Sequence, residues 1–410
     1  MKHCISLTGE REVYVSETNN RYREGCLGWN EMRANSSDST MQIGVSTVNG
    51  CYMLHADASR SQWHRTGPYL KGQSVNSMTY DLSSDTIYAA THTDGVFISR
   101  NGGDSWERST TGLHVKKVWT VAVDPIEPAT VYAGAHYGHL FRSNDYGATW
   151  SEVVGLHKAP RRNEWGIDWG FGTVGLCIHT IKFDRSHPER IYIIASGNGV
   201  YRTDDRGETW LSQRAGTMEE CPVGGIRQLW DKPEATSEQI LAEHLTTVHS
   251  CAHKISLSPS MPGVVYQQNH CGVYVSSDSG EKWVDRSSGK ETRHGFAIAT
   301  VKSPDGSDSV FTVPAYQGKC KEHNSCVIGS LEVFRGDKQG TEWRALRSGL
   351  PKSVHNCVLR DSMTTDSSTP SGIYFGTTTG EVYGSINFGE TWKLLTDGVG
   401  RIQGVDSLKG

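Results

Sequence analysis

Apolar and polar residues alternate in short runs along most of this chain, and glycine-containing turns separate the runs. The segment TVYAGAHYGHLFRSNDYGATW, ending at Trp150, holds two such runs rich in β-branched and aromatic residues. Alternation with a period of two is typical of strands that bury one face. The segments IYIIASGNGVYRTDDRGETW, ending at Trp210, and VVYQQNHCGVYVSSDSGEKW, ending at Trp283, repeat the same order. The pattern therefore predicts antiparallel hairpins that recur along the chain.

Each of these hairpins ends in Ser/Thr-x-Asp/Asn-x-Gly-x-x-Trp. The Asp or Asn side chain can accept hydrogen bonds from the turn backbone, and Gly supplies the positive φ of a tight turn. Five good copies and two degenerate copies end at Trp106, Trp150, Trp210, Trp283, Trp392, Trp63 and Trp343. Since a minimal four-stranded unit needs about 40–45 residues, seven such units predict an all-β, seven-bladed β-propeller.

The first repeat lacks an innermost strand, because QIGVSTVN and CYMLHA match the second and third strands of a blade. The C-terminal segment RIQGVDSLK can supply the missing strand, which would close the ring and remove an open sheet edge. The predicted propeller therefore covers residues 41–410. Residues 1–40, which include the strand-like segment EVYVSE, are expected to form an N-terminal extension or a cap.

The distribution of charges bears on the binding partners that we expect, and the cysteines bear on the cellular compartment. The 41 basic and 45 acidic residues are scattered, so neither a nucleic acid nor a membrane is an expected partner. The start MKHCISLTGEREVYV lacks the apolar core of a secretory signal, which favours the cytoplasm and reduced thiols for the ten cysteines. No Cys-x-x-Cys pair occurs, and Cys320 with Cys326 is a weak candidate for a disulfide or a metal.

The inner strands can be aligned by their distance to the next strand. Asp184 and Ile191 lie seven residues apart, and three other blades repeat this interval. In this register His179, His253, Asp361 and Trp119 occupy one level of the central channel, and Asn76 fits the same level if one turn is a residue shorter.

A second ring of side chains comes from the loops that follow the second strands. His92, His136 and His270 fall at equivalent positions there, so we expect them near the level of His179. Two histidines and a carboxylate form a familiar ligand set for a divalent metal, which predicts a site of His179, His253 and Asp361. The alternative is metal-free acid–base catalysis by the same residues. His270 joins the catalytic set in either version, and His136 and His92 contact the substrate.

Long insertions fall on the same predicted face of the propeller. The loop RRNEWGIDWGFG contributes charged and aromatic residues that suit a sugar: Arg161, Arg162, Glu164, Trp165, Asp168 and Trp169. A solvated loop pinned by its tryptophans is the alternative. Tyr316 of the insertion 316–330 is a further candidate contact with the substrate, and Arg227, Lys319 and Arg360 are candidate anion contacts. Cys177 and Cys251 each precede a channel histidine by two residues, so strand alternation points them the same way. They could contribute to the site, but we expect them to be small buried residues.

The repeats resemble the sialidase-like Asp-box, or BNR-repeat, superfamily over residues 40–410. More narrowly, the segments GLCIHTIKFD, CAHKISLSP, YQQNHCGVY and VLRDSMTTD are similar to bacterial BNR-repeat proteins described as glycosyl hydrolase or exo-sialidase-like. The Phe/Tyr-Arg-Ile-Pro motif of true sialidases is absent. Propeller polysaccharide lyases, which use His, Tyr and Arg and sometimes a metal, match the histidine-rich channel better.

The resemblance implies a hydrolase or lyase that acts on a small polar or glycan-like substrate. A propeller that docks a protein or an assembly intermediate, as Asp-box photosystem assembly factors do, is the alternative. A deep pocket with convergent histidines would favour the enzyme, and a flat charged face would favour docking.

Overall fold

A computed structural model describes most of the chain: residues 41–165, 176–217, 251–290, 292–317 and 325–410. These residues form seven four-stranded antiparallel sheets, which are the blades of a seven-bladed β-propeller. The prediction of the fold is therefore confirmed. The predicted N-terminal extension of residues 1–40 lies outside the described residues.

The first blade closes the ring by combining strands from the N-terminal and C-terminal parts of the propeller. Ile402–Lys409 forms its inner strand and pairs antiparallel with Met41–Thr47, from Gln42 opposite Lys409 to Thr47 opposite Ile402. Gly50–Ala56 and His64–Tyr69 complete the sheet. The predicted closure by the C-terminal strand is confirmed.

Blades 2 to 4 run in chain order from the inner to the outer strand. Blade 2 consists of Val75–Asp81, Thr86–Thr91, Gly95–Ser99 and Glu107–Ser109. Blade 3 consists of Val118–Val123, Val131–Ala135, Leu140–Ser143 and Ser151–Glu152. Blade 4 consists of Ile178–Phe183, Ile191–Ala195, Gly199–Thr203 and Leu211–Gln213. Two short 3-10 helices, Val154–Lys158 and Arg162–Glu164, lie between blades 3 and 4.

Blades 5 to 7 follow the same plan, with one additional small sheet. Blade 5 consists of Ala252–Leu257, Val265–Asn269, Gly272–Ser276 and Val284–Asp285. Blade 6 consists of Gly295–Lys302, Asp308–Pro314, Val333–Asp337 and Glu342–Leu346. Blade 7 consists of Met363–Thr365, Ile373–Gly376, Val382–Ser385 and Lys393–Thr396. The insertion after the second strand of blade 6 forms strands of its own, Tyr316–Gln317 and Ser325–Gly329, which build a three-stranded sheet with Val354–Asn356.

The repeated turn between the third and outer strands has the hydrogen bond and the glycine conformation that its sequence predicts. In blade 4 the Asp205 carboxylate accepts a hydrogen bond from the backbone N–H of Thr209 at 2.8 Å, and Gly207 has φ +103°. The tryptophan that ends the motif lies between neighbouring blades. The indole N–H of Trp283 in blade 5 donates to the Gln213 carbonyl of blade 4 at 3.1 Å. The buried apolar side chains form clusters between adjacent blades, and polar side chains line the channel.

Candidate functional site

A β-bulge marks the start of the inner strand in several blades. In blade 4, Ile178 pairs with Ala195 and Thr180 with Ile194, so His179 is the additional residue. A bulge re-aims the local side chain and often lies next to a functional site. The same single-residue bulge contains His253, Trp119, Asn76 and Gln403 in blades 5, 3, 2 and 1.

The bulges place four of the residues that were aligned from sequence at the same position of their inner strands. Asn76, Trp119, His179 and His253 occupy equivalent positions in their strands. Asp361 lies beside the inner strand of blade 1, where its carbonyl accepts a hydrogen bond from the Val405 N–H at 2.8 Å. The sequence alignment does not find Gln403, because the strand that closes the ring is the last strand of the chain and no second strand follows it.

The second ring of histidines is held by one repeated backbone hydrogen bond. The N–H groups of His92, His136 and His270 donate to carbonyls at 2.8, 2.9 and 3.2 Å. Each acceptor lies two residues before the bulge residue of the same blade: Ser74, Lys117 and Cys251. The three histidines are therefore equivalent, and they lie at the same end of the blades as the bulges.

Blades 2 and 3 contribute an aromatic group to this end of the channel. The rings of His92, Trp119 and His136 lie 5.4–5.7 Å apart, centroid to centroid. The Arg360 guanidinium lies 5.9 Å from the Trp119 ring. Within the described part of the chain, the indole N–H of Trp119 and one terminal nitrogen of Arg360 are buried without a hydrogen-bond partner. Two buried donors therefore remain available to a ligand.

Blades 5 and 6 contribute a second group, in which His253 stacks on Phe296 at 4.6 Å and its ring lies 4.5 Å from that of His270. His294 packs against both histidines. Burial, and then the nearby His294 and Arg360, hold the pKa of His253 well below its usual value. Burial lowers the pKa of His294 to about 4. Both imidazoles are therefore neutral at pH 7, the form that binds metals and accepts protons.

The metal site predicted from sequence, formed by His179, His253 and Asp361, stays a prediction. Among the described residues two groups have their ligand atoms within 4.8 Å of one another: Cys251 with His253 and His270, and His114 with His139 and Glu152. Neither contains His179 or Asp361. The His179 Nδ1 lies 3.2 Å from the Thr180 hydroxyl, and the Asp361 carboxylate forms an ion pair with Lys254.

The channel also holds charged groups that sequence reasoning missed. Burial raises the pKa of Asp406 to about 7 and lowers the pKa of Lys182 to about 8. Both groups interact electrostatically with Lys254 and Asp361. Lys182 and Asp406 each follow a bulge residue by three positions, a regularity that could have located them.

Burial argues against some of the contacts predicted for the substrate. Trp165 is fully buried, and its indole N–H donates to the Tyr201 hydroxyl at 2.9 Å, so it anchors the insertion. Arg162 stacks on the Trp165 ring at 4.5 Å, which ties it to the same anchor. The Asn76 amide donates to the Val118 carbonyl at 2.7 Å and thereby joins blades 2 and 3.

The two cysteines that precede the channel histidines differ in burial. Cys177 is buried as expected, and burial raises the pKa of its thiol to about 12. Cys251 has intermediate exposure, and both residues are thiols. The structure does not describe the side chains of Tyr316, Glu164 and Cys326, nor residues Asp168, Trp169, Arg227, Lys319 and Cys320. In the described part of the chain no helix is long and apolar enough to cross a bilayer.

Comparison with known proteins gives partial matches to glycan-degrading enzymes. No family model matches the chain. A xyloglucanase from Paenibacillus sp is 30% identical over 181 residues, which cover 37% of this chain and 16% of that protein. An oligoxyloglucan-reducing end-specific xyloglucanase from Emericella nidulans is 21% identical over 272 residues, which cover 62% of this chain and 31% of that protein.

The solved structures agree on the architecture. The crystal structure of an ancestral GH74 enzyme matches 80% of this chain and 39% of its own, with 17% identity and a TM-score of 0.57. The chain spans less than a third of the length of each of these two xyloglucanases. It is a seven-bladed β-propeller that is similar, over part of its length, to xyloglucanases.

Proposed function

We propose that this protein hydrolyses a glycan at the end of the channel that carries the bulge residues and the histidine ring. The observation that carries the proposal is the pair of buried donors on Trp119 and Arg360, which lack hydrogen-bond partners among the described residues. A buried donor without a partner costs about 1–3 kcal/mol, which a bound oxygen would recover. Sugars offer such oxygens, and their apolar ring faces suit the indole.

Two carboxyl groups of the channel, Asp361 and Asp406, suit glycoside hydrolysis. Most glycosidases use one protonated and one ionised carboxyl group on opposite sides of the scissile bond. The pKa of Asp406, which burial raises to about 7, leaves this group about half protonated at pH 7 and mostly protonated at lower pH. Asp361 engages Lys254 in an ion pair that requires the carboxylate.

The proposed reaction assigns one role to each group. Asp406 donates its proton to the glycosidic oxygen, and the bond from that oxygen to the anomeric carbon breaks. A water molecule attacks the anomeric carbon and gives its proton to Asp361. Arg360 and Trp119 hold the sugar, and neutral His253 and His179 complete the wall. The two xyloglucanases support a decorated β-glucan as the substrate class.

The test is the release of new reducing ends from xyloglucan oligosaccharides by the purified full chain. We expect Asp361→Asn and Asp406→Asn to lower kcat by about 10²–10⁴-fold, the usual range for general acid–base catalysis. Arg360→Ala should weaken substrate binding by about 10–100-fold, as loss of a hydrogen bond from a charged group does.

Asp205→Ala, in a turn at the other end of blade 4, is the control and should retain full activity. Full activity in both carboxyl variants would overturn the assigned roles. If the wild-type chain neither cleaves nor binds these oligosaccharides, the glycan proposal fails and the docking interpretation replaces it.

A further inference from the structure

We propose that Cys251, His253 and His270 bind a zinc ion. Their candidate ligand atoms all lie within 4.8 Å of one another. Tetrahedral zinc with bonds of about 2.0–2.3 Å needs its ligand atoms about 3.3–3.8 Å apart, so small side-chain adjustments suffice. This inference concerns metal binding and stands independently of the proposed hydrolysis.

Two backbone features bring the three residues together. The His270 N–H donates to the Cys251 carbonyl at 3.2 Å, which sets the loop after the second strand beside the start of the inner strand. His253 follows two residues later, at the bulge of that inner strand. All three residues therefore lie at one end of blade 5.

A hydrogen bond fixes the tautomer of His253. Its Nδ1 lies 2.6 Å from the carbonyl of Gly295. Because a carbonyl only accepts, Nδ1 carries the proton and Nε2 carries the lone pair. A histidine that binds a metal commonly donates its other N–H to a carbonyl or carboxylate in this way, and the partner orients the ring.

The surroundings of the group shield it from water. His294 and Phe296 cover the His253 ring and limit access of water. The second candidate group, His114 with His139 and Glu152, is more exposed.

The ligand types select the metal. One thiolate and two imidazoles suit zinc and disfavour magnesium or calcium, which prefer oxygen ligands. Three protein ligands leave a fourth position for water, as in catalytic zinc sites.

Blade 4 offers a matched control within the same chain. Cys177 and His179 occupy the positions of Cys251 and His253, but the residue equivalent to His270 is Ser196. Blade 4 therefore carries a version of the site with one ligand missing, and we expect this version not to bind zinc.

The experiment uses the full chain purified without a histidine tag, stripped with a chelator and titrated with Zn²⁺ or Co²⁺. We expect one ion per chain and, with Co²⁺, a thiolate charge-transfer band in the near ultraviolet. Cys251→Ser should abolish that band, and His270→Ala should weaken binding at least 100-fold. Cys177→Ser and His139→Ala should leave stoichiometry and spectrum unchanged.

Melting curves of each variant without metal establish that it is folded, and the nearly isosteric Cys251→Ser variant preserves the packing. The absence of binding at one equivalent would overturn the proposal. Retention of the charge-transfer band in Cys251→Ser, or its loss in His139→Ala, would also overturn it. A zinc absorption edge with anomalous density between the three side chains would support it.

Discussion

Lys254, in the inner strand of blade 5, forms an ion pair with Asp361, which lies two residues before the inner strand of blade 7, and these blades are not neighbours. The pair therefore crosses the channel. Side-chain exposure is only 13% for Lys254 and 7% for Asp361, so each charge depends on the other. Removing one partner of a buried pair leaves an uncompensated charge, whereas replacing both can be nearly neutral.

This asymmetry gives the first prediction. Lys254→Met should lower the free energy of unfolding by about 3–5 kcal/mol. The double variant Lys254→Met with Asp361→Asn should recover most of that loss. Denaturant unfolding of the two variants measures the difference, and a double variant as unstable as the single one would contradict it.

The second prediction concerns pH. Asp406 has a folded-state pKa raised to about 7, whereas an unfolded Asp titrates near 4. Between these values the folded chain keeps a proton that the unfolded chain loses, so stability falls as pH rises from about 4 to 7. Asp406→Asn removes this contribution, and its melting temperature should fall less over that interval.

Melting curves at half-unit steps of pH measure that slope. Lys182, Lys254 and Asp361 also face Asp406, so the slope is compared with that of Asp397→Asn, an exposed residue outside the channel. An equal slope in Asp406→Asn and in the wild type would show that Asp406 does not hold the proton.

The third prediction tests ring closure. Deletion of residues 400–410 removes the inner strand of blade 1 and exposes the edge formed by Met41–Thr47. We expect the deletion to destabilise the whole propeller and to promote aggregation. Ile402→Ala should cost about 2–5 kcal/mol because this side chain is fully buried.

Ser407→Ala keeps the strand pairing and serves as the control. Thermal unfolding and size-exclusion chromatography report on stability and aggregation. A truncated chain that melts like the full chain would refute closure by this strand.

The fourth prediction concerns the repeated turns. Asp205→Ala should lower stability by about 1–2 kcal/mol, because its carboxylate accepts the N–H of Thr209 and the Thr209 hydroxyl. Metal affinity should not change, since this turn lies at the end of blade 4 opposite to the histidines. Glu208→Ala, an exposed neighbour in the same turn, is the control. If a stable Asp205→Ala protein bound metal with altered affinity, the functional site would not lie at the end of the blades that carries the histidines.

The sequence predicted the propeller well because its turns use few residue types. Gly207 needs a positive φ and Trp283 reaches the neighbouring blade, so the spacing of these residues reveals the repeat without any knowledge of distant contacts. The alignment of inner strands also found the bulge positions of His179 and His253, because each blade repeats the same distance to its second strand.

Contacts across the channel could not be predicted in the same way. The pairing of Lys254 with Asp361 depends on the diameter of the ring and on side-chain length, which periodicity does not encode. The proximity of Cys251 to His270 depends on a hydrogen bond between a loop and a strand. The sequence analysis therefore names His253 as a candidate ligand, and the proposed zinc site gives it different partners.

Blade 1 joins Met41–Thr47 to Ile402–Lys409, strands separated by more than 350 residues. During synthesis the earlier strand emerges from the ribosome long before its inner neighbour exists. Its inward edge lacks this partner while six further blades are made, and the ring can close only after Lys409 has left the exit tunnel. The last step of folding is thus tied to the end of translation of this segment, and a ribosome stalled earlier would hold an open propeller with two exposed edges.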